Sequence, residues 1–418
     1  MSSPTTVAAS LLILCLSTTH ALNATLLYSY PVSSPCGYAS EGFALFTTLL
    51  SSRSKFSQHN LEVHVRQHGD AWSWPYWERM TPSQREEIAR HMHDERRTAA
   101  APTVEVCHSE PGAMSLPKAL YSTPRCPLYA DSYHVARTMF ETDRLPEGWA
   151  DRLSGMDEVW VPSGWGADIF EAALGSRTPI QTVGEAVDTN FFKPADVPRP
   201  ASGRYEFLSI FKFEKRKGYD VLLEAYFEEF TADEDVALTV LVSGYHGDGR
   251  ADFEAYLESL PYSPSRPALK IIQDFPQDLM PSLYQGSDCF VLPTRGEGWG
   301  RPFAEALSCG IPVIATNFGG QSEFLTSDNS WILQPDGLEE VGEGAFRDHK
   351  WAKLSSDKLR GLMREAFEGR AEGRRKGERG RRDMVRDWGG DAVAVAVWEK
   401  VIAIAEKRER ETNRGEEL

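Results

Sequence analysis

Short apolar runs alternate with amphipathic stretches along most of the chain. Ala24–Tyr30 (ATLLYSY) reads as a buried strand. A Gly-containing loop at Ser34–Gly42 follows, then a helical run at Phe43–Leu50. Leu61–Gln67 alternates with the period of a strand, and Ser83–Ala100 is charged and helical. Thr103–Cys107 and Glu158–Pro162 are further short strands, the second leading into a helix at Gly164–Leu174. Strands that alternate with helices predict a parallel, doubly wound α/β sheet.

The pattern breaks at Lys193–Gly203 (KPADVPRPASG), where three prolines and no apolar period predict an exposed linker. It then restarts. Tyr205–Ile210 and Val236–Val242 are strands, with a helix at Tyr219–Phe230 between them. Leu269–Ile272 (strand), Asp278–Gln285 (helix), Cys289–Pro293 (strand), Pro302–Cys309 (helix) and Ile311–Thr316 (strand) continue the alternation. The reading is two Rossmann-like domains, residues 22–194 and 203–385, facing a cleft. Residues 386–418 form a last helix returning towards the first domain, and a tail.

The length of 418 residues fits two domains rather than one core. At the N-terminus, Val7–Leu16 is a ten-residue apolar run, too short to span a bilayer, which needs about 20 residues. Small residues ending at Ala21 follow, so residues 1–21 are read as a secretory signal peptide, although no Lys or Arg precedes Arg53. That expectation places the protein in the secretory pathway, in the ER or Golgi lumen or secreted; without a leader it would be cytoplasmic. Its removal leaves Cys36, Cys107, Cys126, Cys289 and Cys309, an odd number that pairing within the chain cannot exhaust. No other run is apolar enough for a transmembrane helix.

The net charge of −16 argues against a nucleic-acid partner, which needs a basic surface. The Arg-dense segment Glu368–Arg386 is interspersed with Glu and carries no aromatic residues for stacking on bases, so it reads as a solvated helical face.

Candidate chemistry concentrates in Leu292–Thr316 (LPTRGEGWGRPFAEALSCGIPVIAT). A strand ends, and a loop with Gly296, Gly298 and Gly300 leads to a helix that Pro302 opens and Gly310 closes. Such a helix start offers backbone N–H groups and a partial positive charge to a phosphate. Glu297 and Glu305 flank it, and carboxylates bind hydroxyls, so the implied ligand carries both diphosphate and sugar. Ile210–Gly218 (IFKFEKRKG) adds four cations between a strand and a helix: Lys212, Lys215, Arg216 and Lys217. Lys212 and Lys217 stand where they would clamp a diphosphate.

The Glu297-(seven residues)-Glu305 spacing, followed by ALSCGIPVIA, resembles the E-x7-E signature of family 4 retaining glycosyltransferases, which have the GT-B fold. MFETDRLP (139–146), VWVPS (159–163), VDTNFFKP (187–194) and GGQSE (319–323) are similar to that family in the same order. The resemblance spans about residues 24–405. It implies that Lys217 and Lys212 hold the donor diphosphate. Lys212 replaces the family's usual arginine and so lacks its fork, and Phe211 stands where glycine is common. It implies that Glu297 lies by the transferring sugar, that Glu305 binds the ribose, and that the donor also meets Gly298, Trp299, Gly300 and Arg301. It makes Gly37 the point where the first domain's backbone approaches the ligand, and His108 a catalytic histidine. No metal or other cofactor is required.

The expected function is therefore transfer of a hexosyl group from a nucleotide-diphosphate sugar, GDP-mannose or a UDP-hexose, to an unassigned glycan, protein or lipid acceptor. The rivals are an inactive GT-B sugar-nucleotide binder and a GT-B epimerase. Asp233-Glu234-Asp235 imitates a D-x-D metal motif but lies far from any Gly-rich loop, and is read as chance. Trp72, Trp74, Tyr76 and Trp77 cluster in sequence; packing explains them more simply than a sugar platform. His349 and Trp351 resemble a motif of a subgroup of such enzymes, with no chemistry assigned.

Overall fold

A computed structural model describes residues 21–95, 100–114, 123–196, 203–244, 248–261, 266–342 and 344–416. The predicted leader, except Ala21, and the centre of the predicted linker lie outside the described residues.

The first sheet contains β1 (Asn23–Tyr30), β2 (Asn60–Gln67), β3 (Val104–His108), β4 (Tyr133–Arg137), β5 (Glu158–Val161) and β6 (Ile180–Thr182). All pairs are parallel, in the order β2-β1-β3-β4-β5-β6. The second contains β7 (Tyr205–Lys212), β8 (Val236–Ser243), β9 (Ala268–Ile272), β10 (Cys289–Leu292), β11 (Val313–Thr316) and β12 (Ser330–Leu333). It is also parallel, in the order β12-β11-β10-β7-β8-β9. An antiparallel pair, β13 (Leu338–Glu340) and β14 (Lys350–Ala352), stands apart. β3 and β10 are buried along their whole length, as continuous apolar runs in sheets covered on both faces must be.

Some helices differ from the sequence reading. The predicted helix at 83–100 is Pro82–His91 and starts at a Thr81/Gln84 capping box. The helix Gly37–Ser52 begins six residues before the expected Phe43, within the predicted loop. The Arg-dense segment is not a fully solvated face. In the helix Arg370–Asp383, Gly373, Gly377 and Gly380 are buried. A Cβ on Gly377 would lie 2.0 Å from the Gly310 carbonyl oxygen, so the glycine stripe lets this helix press on the end of the helix Arg301–Ser308. Arg381 donates to the carbonyls of Thr189, Phe192 and Ser308 at 2.8, 3.0 and 2.9 Å. One arginine thus ties the chain's first crossing between halves to the second domain.

The chain crosses back beside that point, where Val187 pairs with Gly389. The 27-residue helix Gly390–Glu416 then lies on the first domain. Val393, Val397, Trp398 and Val401 join the core that holds Leu45, Phe46 and Leu49, and Trp398 Nε1 donates to the Leu49 carbonyl at 3.0 Å. No helix among the described residues is long and apolar enough to cross a membrane.

Cys107 and Cys126 form a disulfide, and Cys36, Cys289 and Cys309 are free. Near it, the fully buried His68 has both ring nitrogens occupied. A carbonyl only accepts, so Nδ1–H donates to Pro124 O at 2.9 Å, and Nε2 accepts from Ser109 Oγ at 2.9 Å. Burial pushes this imidazole down to about 4. The unfolded chain binds that proton near pH 6.5, the native state only near 4, so stability is complete above 6.5 and falls as pH drops through that window. Urea unfolding at pH 7 and pH 4 should show wild type losing about 3 kcal/mol more than His68→Gln. Equal losses would refute this.

Candidate active site

In each sheet the chain runs outward from one central strand, then restarts on its other side. In the second sheet the restart separates β7 from β10; in the first, β1 from β3. Ligands of open α/β sheets bind outside the carboxyl ends of the strands at such switch points. Lys217 follows β7 and Glu297 follows β10, while Gly37 follows β1 and His108 ends β3. Sequence candidates 80 and 71 residues apart, Lys217 with Glu297 and Gly37 with His108, therefore gather at the two switch points.

Lys217 Nζ donates to Glu297 Oε1 at 2.7 Å and Oε2 at 2.9 Å. Arg216 Nη1 lies 3.3 Å from Oε2, and Thr294 Oγ1 donates to Oε1 at 3.0 Å. Burial would raise the Glu297 carboxyl, but Lys217 and Arg216 outweigh it and hold it below the usual carboxylate range. Burial, with Arg216 alongside, pushes the Lys217 ammonium down. Arg216 is shared with Glu214 at 3.4 Å, so carboxylates surround both cations of this pocket. Lys212 closes β7, half-buried, in register with Ser243.

Sequence reasoning missed the support of this pair. Arg295 is buried, grips Asp220 with two bonds of 2.8 Å, and donates to Glu339 at 3.0 Å and to the Lys215 carbonyl at 2.6 Å. It locks the Lys217 loop to the Glu297 loop. A charged residue beside the Gly-rich run was the available signal.

Glu305 lies one turn into its helix. Tyr284 donates to its Oε2 at 2.8 Å, Arg301 Nε stands 3.9 Å from Oε1, and burial raises its carboxyl. Arg301 turns towards the first domain and pairs with Glu185 at 3.1 Å. Gly300 caps the helix with φ +99°. Trp299 differs from its expected place. Its indole is buried, 4.8 Å from both Phe324 and Trp388, inside the second core.

His108 is also enclosed. Its side chain is fully buried, with Tyr28 Oη 2.6 Å from Nδ1 and Glu41 Oε2 3.0 Å from Nε2. Burial holds the imidazole below its ordinary value, so Nε2–H donates to Glu41 and Nδ1 accepts from Tyr28. Glu41 continues to Arg137, which donates to the Val183 and Gly184 carbonyls at 2.8 and 2.9 Å. Burial, with Glu41 nearby, pushes the Glu185 carboxyl up to about 8. The histidine expected to be catalytic is thus part of a buried hydrogen-bonded chain with Glu41 and Arg137. Gly37 is different: a Cβ there would meet no protein atom within 4 Å, so packing does not explain the glycine.

Gly296 and Gly298 serve domain contact. A Cβ on Gly296 would lie 2.0 Å from the Glu141 carbonyl oxygen, and one on Gly298 2.5 Å from Met139. Arg216 faces Glu141 at 3.6 Å, Glu323 accepts from the Gly164 N–H at 2.7 Å, and Thr142 Oγ1 lies 2.7 Å from His349 Nδ1. Segments 139–146 and 319–323 therefore meet the other half here. Glu234, the centre of the D-x-D imitation, is bound by Arg364 at 2.5 Å. Among the described residues, one group brings metal-ligating atoms together, Glu105, Cys107 and Cys126. Its cysteines are disulfide-bonded, and its carboxylate accepts the N–H groups of Leu128 and Tyr129.

Two facing parallel α/β domains with a crossing-back terminal helix are the GT-B architecture, and residues 194–343 match the family described as glycosyl transferases group 1. That match spans a little over a third of the chain. The chain is 28% identical over 191 residues to a GDP-mannose-dependent monoacylated alpha-(1-6)-phosphatidylinositol monomannoside mannosyltransferase of Corynebacterium glutamicum, covering 42% of this chain and 48% of that protein. It is 25% identical over 158 residues to O-antigen chain mannosyltransferase B of Escherichia coli, covering 37% and 40%. The matches thus span less than half the length of these relatives. A glycosyltransferase of Rickettsia africae superposes with TM-score 0.62 at 14% identity, over 91% of this chain and 98% of that one. HepE of Anabaena, solved in complex with UDP and glucose, superposes with TM-score 0.59 at 13% identity, over 90% and 98%.

Proposed function

We propose that this protein is a metal-independent, retaining hexosyltransferase of the family 4 type, using a nucleotide-diphosphate hexose as donor. The observation that carries this reading is the Lys217–Glu297 pair at the switch point of the second sheet, beside a helix N-terminus. Lys217, Lys212 and that helix end stabilise the negative charge that grows on the leaving diphosphate. The bond from the anomeric carbon to the phosphate oxygen breaks as the acceptor oxygen bonds to that carbon on the same face, and the acceptor proton passes to the leaving phosphate. Glu297 orients the sugar, and Glu305, fixed by Tyr284, holds the ribose. Mannosyltransferases among the relatives favour GDP-mannose, and the UDP complex of a fold neighbour keeps UDP-hexoses in the comparison. A disulfide beside the site favours an oxidising compartment, in keeping with a secretory leader.

A thermal-shift screen with UDP, GDP and ADP tests the donor. The matching nucleotide at a hundredfold excess over its Kd should raise Tm by about 3 °C. Turnover of the corresponding sugar nucleotide should follow. Binding with no transfer or hydrolysis of GDP-mannose or any UDP-hexose would make the chain an inactive binder, and epimerisation without acceptor would make it an epimerase.

A further inference from the structure

We propose that the acceptor is a carbohydrate chain, and that Trp74 with Trp72 behind it is the platform on which one of its pyranose rings stacks. The proposal rests on the transferase reading above. The segment from Asp70 to Arg79 leaves the carboxyl end of β2, on the edge of the first sheet that carries Gly37. Ser73 N–H donates to the Ser33 carbonyl at 2.8 Å, and Ser33 Oγ returns a bond of 2.6 Å to the Ser73 carbonyl. The segment is thereby stapled to the loop that leads into Gly37. Tyr76 on the same short helix hydrogen-bonds Ser40 and lies within electrostatic reach of Cys36 and of Arg301 in the donor half. The segment therefore borders the meeting of the two halves.

Trp74 is 63% exposed, the most of any large apolar side chain described. Trp72 meets its edge at a centroid distance of 5.7 Å and packs on Trp77 at 4.9 Å, which holds the exposed ring in place. The Nε1–H of Trp72 is buried without a hydrogen-bond partner. A flat exposed apolar face suits a pyranose, which presents C–H groups on its own face. The charges of the segment, Asp70, Glu78 and Arg79, are acidic on balance, and Asp70 is already oriented by Ser34 Oγ at 2.5 Å. Carboxylates bind sugar hydroxyls well, whereas an anionic bilayer needs a cluster of Lys and Arg.

The test uses the full chain and neutral trisaccharides as probes: mannotriose, maltotriose and cellotriose. Saturation-transfer NMR should show saturable binding of at least one. Trp74→Ala should weaken that binding at least tenfold, while Trp74→Phe, which keeps a ring face, should stay within about threefold. In transfer assays with the same sugar, the loss should fall on acceptor KM rather than kcat. The nucleotide-induced shift in Tm should be the same in Trp74→Ala as in wild type. Absence of binding by all three sugars, unchanged binding in Trp74→Ala, or binding to phosphatidylglycerol vesicles in place of the sugars would overturn the proposal. Failure of the transferase reading would be seen separately, as absent nucleotide binding or turnover indifferent to Lys217.

Discussion

Lys217→Met should reduce sugar transfer by about 10²–10³-fold in a protein that still folds. The reasoning starts from the charge balance. Glu297 is contacted by two cations and one hydroxyl. Removing Lys217 leaves the carboxylate with Arg216 and Thr294, so no buried charge is stranded, and methionine keeps the apolar stem. What disappears is the ammonium nearest the place where diphosphate charge develops. The loss should appear mainly in kcat, because that charge is largest in the transition state. The converse change is less clean. Glu297→Ala takes the carboxylate from Lys217, while Arg216 keeps Glu141 and Glu214, and breaking a buried pair in this way costs about 3–5 kcal/mol. Glu297→Gln keeps the shape and one acceptor oxygen, and is the better probe of the charge. It should also abolish transfer while Tm falls by only a few degrees. Transfer near the wild-type rate in both Lys217→Met and Glu297→Gln would remove the basis of the functional assignment.

The parts of this architecture legible from sequence are those encoded locally. β1, β7 and β10 announce themselves by apolar runs, and Pro302 marks the first turn of its helix. The gathering of Lys217 and Glu297 was legible through motif spacing, because each follows a strand of one sheet. Features built from distant partners were not. The family resemblance makes His108 a catalytic histidine, but Tyr28 and Glu41, which enclose it, are 80 and 67 residues away. The same holds for Arg301, whose partner Glu185 lies 116 residues back. Trp299 sits in a glycine loop that reads as ligand-facing, yet Trp388 supplies the wall of a core there. For Arg370–Asp383 a signal was present. Glycines at 373, 377 and 380 share one helix face, and three small residues at that spacing mark close packing even among many arginines.

Gly296→Ala should hold the two domains apart and lower transfer by about 100-fold, with nucleotide affinity kept within about threefold. The obstacle is backbone on both sides. The new methyl would stand 2.0 Å from the Glu141 carbonyl oxygen. The Gly296 side cannot retreat easily, since Arg216 Nη1 donates to its carbonyl at 2.6 Å. The Glu141 side is clasped by the β13–β14 hairpin, through Asp143 N–H on the Lys350 carbonyl at 3.0 Å and Lys350 N–H on Asp143 Oδ1 at 2.7 Å. One of these clasps must open. Apart from Gly37, the expected donor residues sit on the second domain, so binding of the nucleotide survives. The acceptor half no longer closes to reacting distance, and a displacement of about 1 Å is enough for a 10²-fold loss. Small-angle scattering should show a larger radius of gyration than wild type. Gly37→Ala supplies the contrast, because its methyl meets no protein atom within 4 Å. It should leave the scattering unchanged and act only through a ligand placed against that backbone. Native scattering together with native transfer in Gly296→Ala would show that the contact between Gly296 and Glu141 is not part of the working state.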